Sequence, residues 1–263
     1  MSYETLLTEF DEDTGVAVIQ MNRPDALNAL CEAMMNDLTS ALDRFEADDK
    51  VGCVILTGSR KAFSGGADVK EIKDKTFPES YYEDFISRNW ERTARMRKPI
   101  IAAVAGYAVG GGCELALMCD IIIAADNARF GQTGPRVGSF DGGFGASLLA
   151  RNIGIKKAKE FWFLCRHYTA EEALDMGLVN AVVPVDDLEK ETVAWCREML
   201  HLSPLSLRLL KSSFNAEEDG LTGLQQLSHD ATLLFYMSEE GQEGRNAFQQ
   251  GRKPDFDKFP KRP

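Results

Sequence analysis

Apolar residues crowd the first half of the chain into short runs separated by polar or glycine-rich breaks. Val16 to Met21 follows the turn-like Asp13-Thr14-Gly15 and stops at Asn22-Arg23-Pro24. Val51 to Thr57 stops at Gly58, Ile100 to Val104 runs into the glycine-rich Gly106 to Gly112, and Ile121 to Ala125 follows soon after. Runs of this length and composition predict strands buried on both faces. Between them the period changes. Leu30, Met34, Leu38, Leu42 and Phe45 fall at helical spacing and predict a helix over 27–45. A second helix is expected over 77–96, and a third is expected to begin in the glycine-rich segment and carry Glu114, Leu115 and Leu117. Strand and helix in alternation predict an α/β core with parallel strands. From about Lys156 the pattern is mostly helical: 157–164, 170–176, 188–200, 206–214 and 221–236. The tail from Lys253 is polar and proline-containing, and no internal repeat or low-complexity linker interrupts the chain.

Composition narrows the partners. The chain has 263 residues, enough to bury a substantial core, and a formal net charge of −11. A nucleic-acid surface needs clustered Lys and Arg, so nucleic acid is not an expected partner. An anionic ligand requires local basic residues instead. Six cysteines without C-x-x-C spacing and only three histidines argue against a metal site. Thiols in apolar runs read as buried and reduced, which suits a cytoplasmic protein. Met1 to Phe10 lacks the basic and apolar regions of a signal peptide, and no apolar stretch is long enough to predict a membrane span.

Two glycine-rich turns follow buried strands: Phe63-Ser64-Gly65-Gly66-Ala67-Asp68 and Gly110-Gly111-Gly112. Glycine lets backbone N–H groups turn toward a ligand. Two such groups facing one point would make an oxyanion hole for a thioester enolate, although each turn alone reads more simply as a tight loop. Neither fits the phosphate-binding P-loop pattern or a complete dinucleotide fingerprint.

The stretch Ala105-Gly106-Tyr107-Ala108-Val109-Gly110-Gly111-Gly112-Cys113-Glu114-Leu115-Ala116 resembles the most specific motif of the enoyl-CoA hydratases, members of the crotonase superfamily. Lys61-Ala62-Phe63 through Glu71 is similar to their first oxyanion loop. Asn22-Arg23-Pro24 and Leu27-Asn28-Ala29-Leu30 are similar to their opening. The resemblance spans essentially the whole chain. It implies an α/β crotonase (ClpP-like) spiral of ββα turns over residues 1–195. A C-terminal helical oligomerisation region would follow over 196–263, assembling a homotrimer or a hexamer built as a dimer of trimers. It also implies an acyl-CoA substrate, with coenzyme A as part of it, and oxyanion N–H groups at Ala67 and Gly111.

Hydratases hold one water between two carboxylates. Glu114 matches the first, but the position of the second, just after Phe130-Gly131-Gln132, is Gly134. From Phe130 onward the chain is instead similar to the 1,4-dihydroxy-2-naphthoyl-CoA synthases of menaquinone biosynthesis. The matching stretches are Gly131 to Asp141, Phe161 to Arg166, Ala231 to Tyr236, Glu243-Gly244-Arg245 and Arg252 to Phe256. That resemblance implies that the space at Gly134 admits a bicarbonate ion as base, lined by Gln132, Thr133 and Trp162. It implies that Asp141, oriented by Ser139, meets the substrate's aromatic carboxyl group. Tyr236 would reach across a subunit interface to help protonate that group.

Plainer roles stand beside these. Asp141 sits in a Ser-Phe-Asp-Gly-Gly turn where aspartate is a common turn former. Tyr236 and Trp162 lie on amphipathic stretches and serve equally as packing residues. Glu114 follows Gly-Gly-Gly-Cys at a helix start, where a carboxylate is favoured by the backbone dipoles. It departs from the synthases, which usually have an apolar residue there, and would repel a nearby anion. Residues 69–89 are spaced as in a hydratase, with Lys70, Lys73, Lys75, Tyr81 and Tyr82 able to replace the synthase loop's basic and aromatic groups. The two halves therefore point to different substrates, with a seam near residues 117 to 130. Bicarbonate-dependent ring closure of o-succinylbenzoyl-CoA leads, hydration of a trans-2-enoyl-CoA follows, and a catalytically silent scaffold of the same fold is the third reading.

Overall fold

The computed structural model describes residues 2–72, 87–139, 143–218 and 220–260. The described strands are β1 (Leu6–Asp11), β2 (Val16–Met21), β3 (Cys53–Thr57), β4 (Ala62–Ser64), β5 (Ile100–Val104), β6 (Tyr107–Val109), β7 (Ile121–Ala125), β8 (Arg129–Gly131), β9 (His167–Thr169) and β10 (Ala181–Val183). They form two sheets, ordered β1-β2-β3-β5-β7-β10 and β4-β6-β8-β9. The first sheet is parallel from β2 to β10 and carries antiparallel β1 at its edge. In the second, β4, β6 and β8 run parallel and β9 antiparallel. The pairs β3–β4, β5–β6 and β7–β8 each place one strand in each sheet before the chain turns into helix or loop. This is the ββα spiral.

The core follows from the two-residue period of a strand. In β3, Val54 and Leu56 face one buried cluster, with the Glu32–Ala47 helix and Phe63, Leu115 and Phe130. Cys53 and Ile55 face the other, where Ile101, Ala103, Ile123 and Ala125 pack with Leu188 and Cys196 of the Leu188–Leu200 helix. Both faces are covered, which is why these runs are continuously apolar. The described cysteines are all buried.

Two expected helices are shorter than their patterns. The first begins at Glu32 rather than Leu27. Leu27 and Asn28 adopt left-handed backbone (φ 50° and 54°), and Leu30 forms a bridge with Ala67. Tertiary pairing thus takes residues that the helical period had claimed. Of the 77–96 helix, residues 77–86 lie outside the described residues. The described part is helical over Ser87–Trp90 and then continues as turns. The three-residue strands, β1 and the helices Gly145–Ile153 and Glu239–Gln249 had no assignment from the pattern.

The chain divides into two compact units between Pro204 and Leu205. Position 195, the expected boundary, falls within the Leu188–Leu200 helix. The second unit contains the Leu221–Met237 and Glu239–Gln249 helices, joined at Ser238, whose hydroxyl accepts from the Gly241 N–H. Its tail is tied down by Glu243, which accepts from Arg252, from the Asp255 N–H and from Lys258. Among the described residues, no helix is long and apolar enough to cross a membrane.

Candidate active site

The two glycine-rich turns meet. A side-chain carbon on Gly66 would lie 3.4 Å from the Gly111 N and 2.8 Å from the Val109 carbonyl oxygen. One on Gly111 would lie 3.7 Å from the Ala67 N. Gly66 (φ 90°) therefore has to be glycine, and its close approach sets the Ala67 and Gly111 amides side by side. The Leu30–Ala67 bridge uses the Gly66 carbonyl and the Asp68 N–H, which leaves the Ala67 N–H outside the ladder. Gly111 opens its helix, where first-turn amides have no partner within the helix. Ala67 is exposed and Gly111 half-buried, so a ligand oxygen can approach both.

The segment Arg23 to Leu30 acts as the rear support of the first turn. Leu27 O accepts from the Gly65 N–H, Asn28 O accepts from the Ser64 hydroxyl, and the Asn28 amide donates to Ala62 O. Arg23 donates to Ala29 O at 2.6 Å and pairs with Asp68 at 2.9 Å. The Arg23 guanidinium holds the Asp68 carboxyl below its ordinary range, partly offset by burial. The ion pair with Asp68 makes Arg23 a buttress of the turn. Asn28 was legible only as part of a motif, because its left-handed backbone and full burial depend on contacts far along the chain.

Glu114 projects from the helix that Gly111 starts and is 2% exposed. Its carboxylate lies over Gly143 and Gly145, and a side-chain carbon at either glycine would overlap it. The same carbon on Gly143 would lie 2.6 Å from the Trp90 Nε1, while one on Gly111 would lie 3.5 Å from the Trp90 ring edge. Trp90 therefore spans from the oxyanion turn to the Glu114 carboxylate. Sequence reasoning gave it no role. Its only signal was a tryptophan in a stretch otherwise read as amphipathic helix.

Gln132 is fully buried, and among the described residues both of its amide atoms lack a hydrogen-bond partner. The Thr133 hydroxyl oxygen lies 3.0 Å from where Gly110 would carry a side chain. Gly134 is buried and opens the Gly134–Val137 helical turn, closed by left-handed Gly138. That turn packs on the Ile155–Leu164 helix, which carries Trp162, whose indole N–H is also buried without a partner among the described residues. Buried amide and indole donors without a partner among the described residues are of the kind that suits a small oxyanion such as bicarbonate. Ser139 is exposed and its N–H donates to Gly134 O. Asp141 lies outside the described residues. Tyr236 belongs to the second unit, 51% exposed, with the Arg245 guanidinium over its ring.

A cleft of about 420 Å³ is lined by Arg60, Lys61 and Arg129 with Leu27, Gly106, Tyr107 and Asn127. Three cations cluster here in an acidic protein. Leu27 joins the cleft to the Ala67 turn through its contact with Gly65. The described residues contain no group of His, Cys, Asp and Glu able to hold a metal ion. Cys113, beside Glu114, is fully buried, and burial pushes its thiol up to about 12.

A spiral of parallel strands that brings two amides together beside a buried carboxylate defines a class of acyl-thioester enzymes. The enoyl-CoA hydratase/isomerase family model matches residues 11–259, and the chain belongs to that family, within the crotonase superfamily. It is similar to enoyl-CoA hydratase subunit I of Geobacillus kaustophilus HTA426, with 34% identity over 97% of this chain and 99% of that one, at a TM-score of 0.81. An enoyl-CoA hydratase of Bacillus anthracis shares 32% identity over 96% and 99% of the two chains, at 0.79. An enoyl-CoA hydratase/carnithine racemase of Magnetospirillum magneticum shares 30% over 97% and 96%, also at 0.79. The protein is thus a crotonase-family acyl-CoA enzyme of hydratase/isomerase type.

Proposed function

We propose that this acyl-CoA enzyme closes the second ring of o-succinylbenzoyl-CoA, as 1,4-dihydroxy-2-naphthoyl-CoA synthases do, with bicarbonate as its cofactor. The observation that carries this reading is Gln132, fully buried with both amide atoms unpartnered among the described residues, two positions from Gly134. A buried polar group left unsatisfied costs about 1–3 kcal/mol, so such a group is best explained by something that binds it. When bound, bicarbonate supplies a carboxylate-type base where a hydratase has its second glutamate. Gln132, Thr133 and Trp162 would hold it. The Ala67 and Gly111 N–H groups stabilise the thioester oxygen as the adjacent carbon loses its proton. That carbon then bonds to the aryl carboxyl carbon, and water leaves. Asp141, oriented by Ser139, and Tyr236 of a neighbouring subunit would handle the protons of that carboxyl group. The Arg60, Lys61 and Arg129 cleft is suited to the CoA phosphates.

Tyr236 acts in this way only in an assembly. Large apolar side chains exposed on the second unit, among them Phe214, Phe235, Met237 and Phe248, support a homotrimer or hexamer.

A specific observation favours a second reading. Glu114 has the burial and the setting of a hydratase carboxylate, beside the oxyanion amides, and the solved structures similar to this chain include enoyl-CoA hydratases. Under this reading the protein hydrates enoyl-CoA thioesters weakly, and Gly134→Glu raises that activity at least tenfold. The deciding assay offers o-succinylbenzoyl-CoA and crotonyl-CoA, each with and without bicarbonate. Ring closure stimulated by bicarbonate is the expected result. Hydration indifferent to bicarbonate, with no ring closure, overturns the proposal in favour of the second reading.

A further inference from the structure

Leu30 and Ala67 pair as residues of two parallel strands do. The Leu30 N–H donates to Gly66 O at 2.8 Å, and the Asp68 N–H donates to Leu30 O at 2.9 Å. Gly66 O and the Ala67 N–H belong to one planar peptide unit and point in opposite directions. Holding that oxygen on Leu30 therefore aims the Ala67 N–H away from Leu30, toward the open side of the turn.

A parallel ladder continues with the N–H two residues on, that of Glu32, bonded to Asp68 O. Here Asp68 O accepts instead from the Glu71 N–H at 3.0 Å, as the chain enters the Val69–Ile72 helical turn. Glu32 also begins the Glu32–Ala47 helix, whose N-cap, Cys31, makes no side-chain hydrogen bond. The Glu71 carboxylate serves both needs. Its oxygens accept from the Glu32 N–H at 3.1 and 3.3 Å. A side chain thus supplies the next rung of the ladder, at a helix start where an anion is favoured. The turn between is braced, because the Asp68 carboxylate accepts from the Lys70 N–H at 3.1 Å and pairs with Arg23.

We infer that Glu71 is a positioning residue for the Ala67 amide. Its carboxylate latches the turn that follows Ala67 onto the backbone of Glu32, and so keeps that amide aligned with the Gly111 amide. The inference rests on the reading of these two amides as an oxyanion pair, and holds for either substrate. Reach is the property required, more than charge, because the carbonyl oxygen of glutamine accepts the same bond.

The test follows deuterium uptake from D₂O at the carbon next to the thioester, with butyryl-CoA and o-succinylbenzoyl-CoA. Glu71 and Glu32 are both exposed, so substitutions there leave the core intact. Glu71→Ala should lower kcat for exchange about tenfold, a fraction of the roughly hundredfold cost of a 1 Å misplacement, with KM changed less than about twofold. Glu71→Gln keeps the reach and should retain about half of kcat or more. Glu71→Asp keeps the charge but is one methylene shorter, and should fall with Glu71→Ala. Glu32→Pro removes the donor instead. Proline suits the first helical position, and Cys31 already has the extended backbone that precedes proline (φ −113°, ψ 169°). This variant should lose kcat as Glu71→Ala does, and combining the two should add little further. A Glu71→Ala protein with wild-type kcat overturns the inference, whatever its melting temperature. So does a loss confined to KM, or a Glu32→Pro protein that keeps the kcat that Glu71→Ala loses. A wild type that exchanges neither thioester contradicts the oxyanion reading itself, and the latch with it.

Discussion

At the scale of single residues, the site is built largely by side chains that are missing. Gly66 lets two turns touch, and Gly143 and Gly145 make room for the Glu114 carboxylate. Gly143→Ala puts a methyl group on the carboxylate and close to the Trp90 N–H. It should lower kcat by one to two orders of magnitude while costing about 1–3 kcal/mol of stability, the usual range for overpacking. Steady-state kinetics and thermal melting on one preparation separate the two effects. This layer was only partly legible beforehand. The oxyanion glycines stand in a recognisable motif, whereas Trp90, Gly143 and the Arg23–Asp68 pair depend on contacts between distant segments. Gln132 and Trp162 were assigned by resemblance, and their side-chain polar atoms are buried without a partner among the described residues.

At the scale of elements, the long apolar runs of β2, β3, β5 and β7 were readable because burial on both faces leaves a continuous signal. The three-residue strands β4, β6 and β8 carry too few positions to show a period, yet they belong to the second sheet and lead into both glycine-rich turns. The ββα repeat is therefore structural, with no sequence repeat behind it. The start of the first long helix was misplaced because Leu27 to Leu30 serve the Ala67 turn instead. In the second unit, the Glu243 carboxyl is lowered from 4.5, chiefly by Arg252, then by the Asp255 N–H and Lys258, against burial. A lowered carboxyl contributes stability above its unfolded value and loses it as pH falls through the folded one. Glu243→Gln should therefore lower the melting temperature at pH 7, and the gap to wild type should narrow as pH drops below about 4.5. A gap independent of pH would show that shape, not charge, ties down the tail.

At the scale of the whole molecule, the first unit holds the two glycine-rich turns, buried Glu114 and the basic cleft, and the second carries exposed apolar side chains. Burial of the described cysteines, with Cys113 pushed up to about 12, predicts that the native protein reacts slowly with thiol reagents. Rapid native labelling of Cys113, read by peptide mass, would contradict the packing. The central claim is that the paired Ala67 and Gly111 amides stabilise a thioester enolate. The most direct measurement is proton exchange in D₂O at the carbon next to the thioester, with butyryl-CoA and o-succinylbenzoyl-CoA, followed by mass spectrometry. Enzyme-dependent deuterium uptake at that carbon is predicted for at least one of the two. Bound thioesters that take up no deuterium above the rate in buffer would contradict enolate chemistry at this site.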